Sequence, residues 1–166
     1  MQILILPSFY PSRLRPTTGI FFVDQVTTLR RAGHQVGGLT APPLYETLDY
    51  IRQNHRLPSS MVNHPDDSEI YRLHSMWVPR IFPLISALIY GRVAKSAFEE
   101  YCRSHGMPDI IHAHNIFYGG YMAVQIARQH NIPVVLTEHS SNHLRGRIFL
   151  PGQHLIARYT LQHTNK

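Results

Sequence analysis

The chain has 166 residues, of which 43% are hydrophobic and only 16% charged, a composition that excludes intrinsic disorder, a solvated repeat array and a coiled coil. Sixteen Lys and Arg against ten Asp and Glu leave a formal charge of +6, which favours phosphorylated ligands and anionic lipid surfaces. The basic residues are scattered and no aromatics interleave with them, so nucleic acid is not expected as a partner.

Gln2 to Leu6 is a continuous apolar run that stops at Pro7, the pattern of a buried parallel strand rather than of a signal peptide. A loop with prolines, hydroxyls, Arg13 and Arg15 follows. Gly19 then introduces Ile20, Phe22, Val23, Val26 and Leu29 at helical spacing, and the helix is expected to end at Ala32 with Gly33 as its left-handed cap. His34 to Thr40 reads as a second strand. Residues 41–67, rich in Pro, Asn, His and Asp, read as an irregular excursion at the edge of the sheet, with at most a short helix over Thr47 to Gln53. Glu69 to Leu73 is predicted as a third strand.

From Arg80 to His105, Ile81, Ile85, Leu88, Ile89, Val93, Ala97, Phe98 and Tyr101 follow a 3.6-residue period, with Pro83 tolerable in the first turn and Gly106 closing the helix. Its first half, Trp77 to Tyr90, is more apolar than one buried face needs; complete burial is the preferred reading and contact with a membrane interface the other. Cys102, on the apolar side of this helix, reads as a buried thiol, and a lone cysteine suits a reducing compartment. Ile110 to His112 is predicted as the fourth strand, Gly119 to His130 as a helix capped by Asn131, and Val134 to Thr137 as the fifth strand. Pro151-Gly152 opens a last helix with Leu155, Ile156 and Tyr159. No segment reaches the ~18 apolar residues of a membrane span. The alternation implies one α/β domain over residues 1–166, a Rossmann-like, mostly parallel sheet with helices on both faces.

In such a sheet the ligand crevice lies beyond the carboxyl ends of the strands. Two strands end there in titratable residues. His112 and His114 project to the same side of one strand, and if the strand ends near His112, His114 stands in the crevice. Glu138 and His139 end the next strand, followed by Ser140, Ser141, Asn142 and His143. Gly19, where a loop turns into a helix, would let an anion approach free N–H groups, with Arg13 and Arg15 as further phosphate contacts. His-x-His with a nearby Glu-His is also an acceptable zinc set, so a metal-dependent hydrolase is one alternative and a non-catalytic carbohydrate- or nucleotide-binding module another. Nucleophile-elbow, zincin and CxxC motifs are missing.

Pro7-Ser8-Phe9-Tyr10-Pro11, Gly19-Ile20-Phe21-Phe22 with Gln25, Arg31-Ala32-Gly33-His34-Gln35-Val36, Pro108-Asp109-Ile110-Ile111-His112-Ala113-His114 and Thr137-Glu138-His139-Ser140-Ser141 together resemble the opening of family-four retaining glycosyltransferases. That resemblance implies the GT-B architecture, two Rossmann-like domains with the active site between them, of which this chain is the N-terminal, acceptor-side domain, cut short before the C-terminal donor-binding domain. It implies transfer of a sugar from a nucleotide-sugar donor to a glycan or lipid-linked acceptor with retention, without a required metal or other cofactor and with little activity in this chain alone. Gly19 would meet the donor diphosphate, His114 would be the catalytic histidine near the reacting carbon, and Glu138, His139, Ser140 and Ser141 would line the cleft. Arg145 would contact acceptor or phosphate. The implied location is cytoplasmic, with peripheral contact to the anionic inner face of a membrane.

Overall fold

The computed structural model describes residues 1–42, 44–55, 62–64, 67–74, 82–139 and 152–164. Its strands are β1 (Gln2–Leu6), β2 (Gln35–Thr40), β3 (Val62–His64), β4 (Asp67–Arg72), β5 (Ile110–His114) and β6 (Val134–Thr137). The described helices are α1 (Ile20–Arg31), α2 (Leu44–Asn54), α3 (Pro83–His105), α4 (Tyr118–His130) and α5 (Gln153–His163). The sheet order is β3-β4-β2-β1-β5-β6, with every pairing parallel except β3 against β4.

Strand alternation sorts the apolar side chains into two layers. Leu4, Leu6, Leu39, Ile111, Ala113 and Val134 face α3 and α4, where Ala94, Phe98, Tyr101, Met122, Ala123 and Ile126 complete the larger core. Ile3, Ile5, Val36 and Ile70 face the opposite way, onto Phe22 and Val26 of α1. Each fully buried side chain of this size contributes about 1.5–3 kcal/mol, so the doubly covered centre of the sheet holds the fold. Cys102 packs half-buried against the larger core, and burial raises its thiol pKa, as expected of a structural cysteine.

Helix ends follow the residues that stop them. Gly33, at φ +84°, turns the chain out of α1, and its N–H bonds back to the carbonyl of Arg30 at 3.0 Å. Pro83 opens α3, where its missing N–H costs nothing, and Asn131 ends α4 in the left-handed conformation.

Two expectations need correction. The excursion over residues 41–67 is more regular than its composition suggested. It carries the eleven-residue α2 and the three-residue antiparallel β3, although it does lie at the sheet's edge. Its anchors are side chains that periodicity does not reveal. Arg72 donates to the carbonyl of Pro11 at 2.9 Å and pairs with Glu46 at 3.6 Å, while His74 Nδ1 meets the Thr47 hydroxyl at 3.0 Å. Burial, with Arg72 beside it, lowers the His74 pKa to about 4.

The second correction concerns the start of α3. Pro83, Ser86 and Ala87 are buried, but Phe82, Leu84, Ile85 and Leu88 are about half exposed, so complete burial of this stretch does not hold. Small residues face the core here and the bulky ones turn outward, the reverse of what total hydrophobicity implies. Trp77 and the rest of the segment up to residue 81 lie outside the described residues.

Candidate functional site

The carboxyl ends of β5 and β6 stand side by side, with His114 in register with Thr137 and His112 with Val135. His112, His114, Val135 and Thr137 therefore share the α1 side of the sheet. The histidine rings meet: His112 and His114 are 4.2 Å apart centroid to centroid, and those of His114 and His139 lie 5.2 Å apart with their planes inclined by 23°. His112 Nε2 lies 2.8 Å from the Thr137 hydroxyl, and His114 Nδ1 lies 3.0 Å from His139 Nε2.

Strand β5 runs on to His114 instead of ending near His112, and this reverses the expected exposure. His114 is 1% exposed, whereas the deeper-lying His112 is half-buried and His139 exposed. The cover over His114 comes from α1: the Phe22 ring approaches it edge-on at 4.7 Å, and Phe21 and Phe22 flank His139 at 5.1 and 5.6 Å. Desolvation, followed by the neighbouring His112 and His139, lowers the His114 pKa to about 3, and desolvation lowers that of His112. His114 is therefore a neutral imidazole. Its Nε2 is buried and has no hydrogen-bond partner among the described residues.

The backbone around this ring is closely fitted. Ser8, just past β1, donates its hydroxyl to the His114 carbonyl at 2.7 Å. On the other side the first turn of α4 presses directly on the strand. A Cβ on Gly119 would collide with the His114 carbonyl oxygen and stand 2.9 Å from that of Leu6, so only glycine fits.

Gly19 sits at φ +80° immediately before α1. A Cβ there would lie 3.0 Å from the Phe9 ring and 3.2 Å from the Phe9 carbonyl oxygen, so glycine is already required by the loop's own packing. Helix α1 has no acidic residue in its first turn and no side-chain cap, which leaves a partially positive end beside Phe22 and the histidines. The two loop arginines are engaged elsewhere. Arg13 pairs with Asp49 at 2.7 Å and Arg15 lies 5.0 Å over the Tyr45 ring.

Glu138 accepts a hydrogen bond from the backbone N–H of Ile116 at 2.7 Å, tying the end of β6 to the turn that leads into α4. Ser140, Ser141 and Arg145 lie outside the described residues. Zinc binding by His-x-His with Glu-His finds no assembled ligand set. His112 Nε2 meets Thr137 and His114 Nδ1 meets His139, and among the described residues no three His, Cys, Asp or Glu are grouped to hold an ion. A cavity of about 270 Å³ lies elsewhere, at the amino ends of β1 and β2 between Gln2, Glu69 and His105.

Sequence reasoning missed Ser8 and Thr137 as partners of the histidines and treated Phe22 as an ordinary apolar helix position. Phe21 and Phe22, two and three residues past Gly19, were the available signal: two large rings at a helix start beside the carboxyl ends of strands need something flat to pack on.

A parallel Rossmann-like sheet with polar groups at its carboxyl rim, reached by a glycine-initiated helix, is the architecture of a GT-B domain. The sequence profile of Glycosyltransferase Family 4 matches residues 19–166, and the chain belongs to that family. It is 27% identical over 145 residues to the Bacillus subtilis (strain 168) protein named "Putative teichuronic acid biosynthesis glycosyltransferase TuaC", covering 86% of this chain. Its fold is similar to UDP-GlcNAc 2-epimerase from Methanocaldococcus jannaschii, with a TM-score of 0.56 and 9% identity over 99% of the chain. A similar likeness joins it to the Neisseria meningitidis UDP-GlcNAc 2-epimerase bound to UDP-GlcNAc, with a TM-score of 0.50 and 14% identity over 96% of the chain. The chain spans 37% of the length of the Bacillus protein and 38% of each epimerase.

Proposed function

We propose that this chain forms the acceptor-side wall of a retaining glycosyltransferase, in which a sugar passes from a nucleotide-sugar donor to a glycan or lipid-linked acceptor. The observation that carries this reading is the neutral, buried His114 with a free Nε2 at the carboxyl end of β5, beside the uncapped start of α1. A neutral imidazole can hydrogen-bond a sugar hydroxyl or a developing charge without introducing a cation of its own. An opposing domain would supply most contacts to the nucleotide. Gly19 would bring α1 amides toward the diphosphate, and Glu138 and His139 would line the cleft, with Ser140, Ser141 and Arg145 as further candidates.

Nucleotide-sugar recognition is supported by the family and by the nucleotide sugar named with the Neisseria epimerase. No metal or other cofactor is required in this reading. The exposed Phe82, Leu84, Ile85 and Leu88, on a chain of formal charge +6, suit peripheral contact with an anionic membrane from the cytoplasmic side. Among the described residues no helix is long and apolar enough to cross a membrane.

The test is transfer by the full-length protein carrying His114→Ala. Turnover falls at least about a hundredfold, consistent with loss of one preorganised group acting on developing charge, while the unfolding midpoint shows that the fold persists. Near-normal turnover would remove His114 from the reaction.

A further inference from the structure

We propose that His139 is a positioning residue that sets the hydrogen-bonding sense of His114, deciding whether Nε2 of His114 meets the ligand as a donor or as an acceptor. The proposal rests on the reading that His114 faces the transferred sugar.

The argument starts from one contact. His114 Nδ1 and His139 Nε2 are 3.0 Å apart, so a single proton lies between them. If His114 carries it on Nδ1, then Nε2 of His114 is a bare lone pair, because a neutral imidazole has one N–H. If His139 carries it, Nε2 of His114 must hold the His114 proton. The free end of the ring reports what happens at the bonded end, and that free end is buried without a partner among the described residues.

The two rings differ in exposure, and this gives the pair its direction. His114 is sealed beneath Phe22, and burial keeps its pKa near 3, so it does not take up a second proton. His139 is exposed to solvent. When His139 is protonated, both of its nitrogens carry N–H, so its Nε2 can only donate to His114 and Nε2 of His114 becomes an N–H donor. When His139 is neutral, both arrangements are open and a bound ligand can select either.

Among the described residues, the titratable groups facing His139 are His114 and His112 on β5 and Glu138, its neighbour just past the end of β6; α1 faces it with the rings of Phe21 and Phe22. Glu138 directs Oε2 to the Ile116 N–H, and His112 Nε2 meets Thr137, so neither makes the 3.0 Å contact to His114 Nδ1. His139 alone occupies that place among the described residues.

The experiment is two-bond ¹H–¹⁵N correlation NMR on the ¹⁵N-labelled chain across a pH titration, with His139→Phe and His139→Gln as variants. In the parent, the His114 ring nitrogens move toward the Nε2–H tautomer on acidification, in step with the titration of His139. In His139→Phe, which keeps an aromatic ring but no nitrogen, the His114 tautomer no longer follows pH. Gln places an amide, donor and acceptor both, near the position of Nε2 without titrating, so in His139→Gln the His114 tautomer does not change with pH. In the full-length enzyme, His139→Phe lowers kcat about tenfold, the size of one net hydrogen bond, with little change in KM, and His139→Gln recovers most of it with a flattened pH profile. A His114 tautomer in the parent that ignores the titration of His139 overturns the proposal whatever the protein does. A tautomer that follows His139, in an enzyme whose turnover survives His114→Ala, leaves the pair intact and refutes the function instead.

Discussion

The neutrality of His114 makes a quantitative demand on stability. Its ordinary pKa of 6.5 falls to about 3 in the folded chain, so between those values the unfolded state binds more protons than the native one. Stability contributed by the neutral ring is fully present above the unfolded value and is lost as pH falls below it. Between about pH 7.5 and about pH 5 the unfolded ring becomes mostly protonated and the native ring does not, which costs about 2 kcal/mol for this one group. In a chain of this size that corresponds to roughly 4–8 °C in Tm. The clean comparison is His114→Gln, which keeps a polar side chain and removes the titration. Urea unfolding followed by circular dichroism at the two pH values gives four free energies. The parent is expected to lose about 2 kcal/mol more on acidification than the variant, since His74, His112 and all carboxylates are common to both. Equal losses would show that His114 titrates in the native chain as it does in the unfolded one, and the buried neutral imidazole would be wrong.

Two glycines with the same backbone sense should separate strain from packing: Gly33→Ala, at φ +84° with open space around it, costs about 1 kcal/mol in urea unfolding. Gly19→Ala, at φ +80° and 3.0 Å from the Phe9 ring, costs about 1–3 kcal/mol more and shifts the near-ultraviolet signal of the aromatic cluster; equal costs would contradict the packing described for the first loop. Glu138→Ala, which leaves the Ile116 N–H without its acceptor, destabilises by about 1–2 kcal/mol, whereas Glu138→Gln retains an oxygen there and loses less than half as much. Sedimentation with vesicles of anionic lipid should weaken severalfold in an Ile85→Ser, Leu88→Ser double variant of the full-length protein, and unchanged sedimentation would discard the exposed start of α3 as a membrane contact.

The parallel strands were legible because each is a short apolar run bounded by Pro, Gly or a polar cluster. Val134–Thr137 after Pro133 coincides with its predicted span, and the ends of α1, α3 and α4 fell where Gly33, Gly106 and Asn131 signal them. The excursion was not legible, since α2 is held through Glu46 and Thr47 by Arg72 of β4 and His74 just past its end, and β3 by its pairing with β4. Side-chain anchors of that kind leave no period in a sequence. In the site, the pairing of β5 with β6 brought His114 and His139 together as the spacing suggested. What one-dimensional reading lacked was the lid: Phe22 fits the apolar period of α1, and nothing in that period says that its ring lies over a histidine instead of an aliphatic core.

The contact between Gly119 and the His114 carbonyl has a consequence for how such a cleft adapts. On the α4 side, main chain rests against main chain, and no room exists for adjustment by choosing a different rotamer. On the opposite side, residues 7–18 are fastened by separable side-chain ties, Ser8 to His114 and Arg72 to Pro11 among them. Under the proposed function, diversification toward new sugars or acceptors would be channelled into that first loop, which can be rewritten piecemeal while the far wall acts as an anvil.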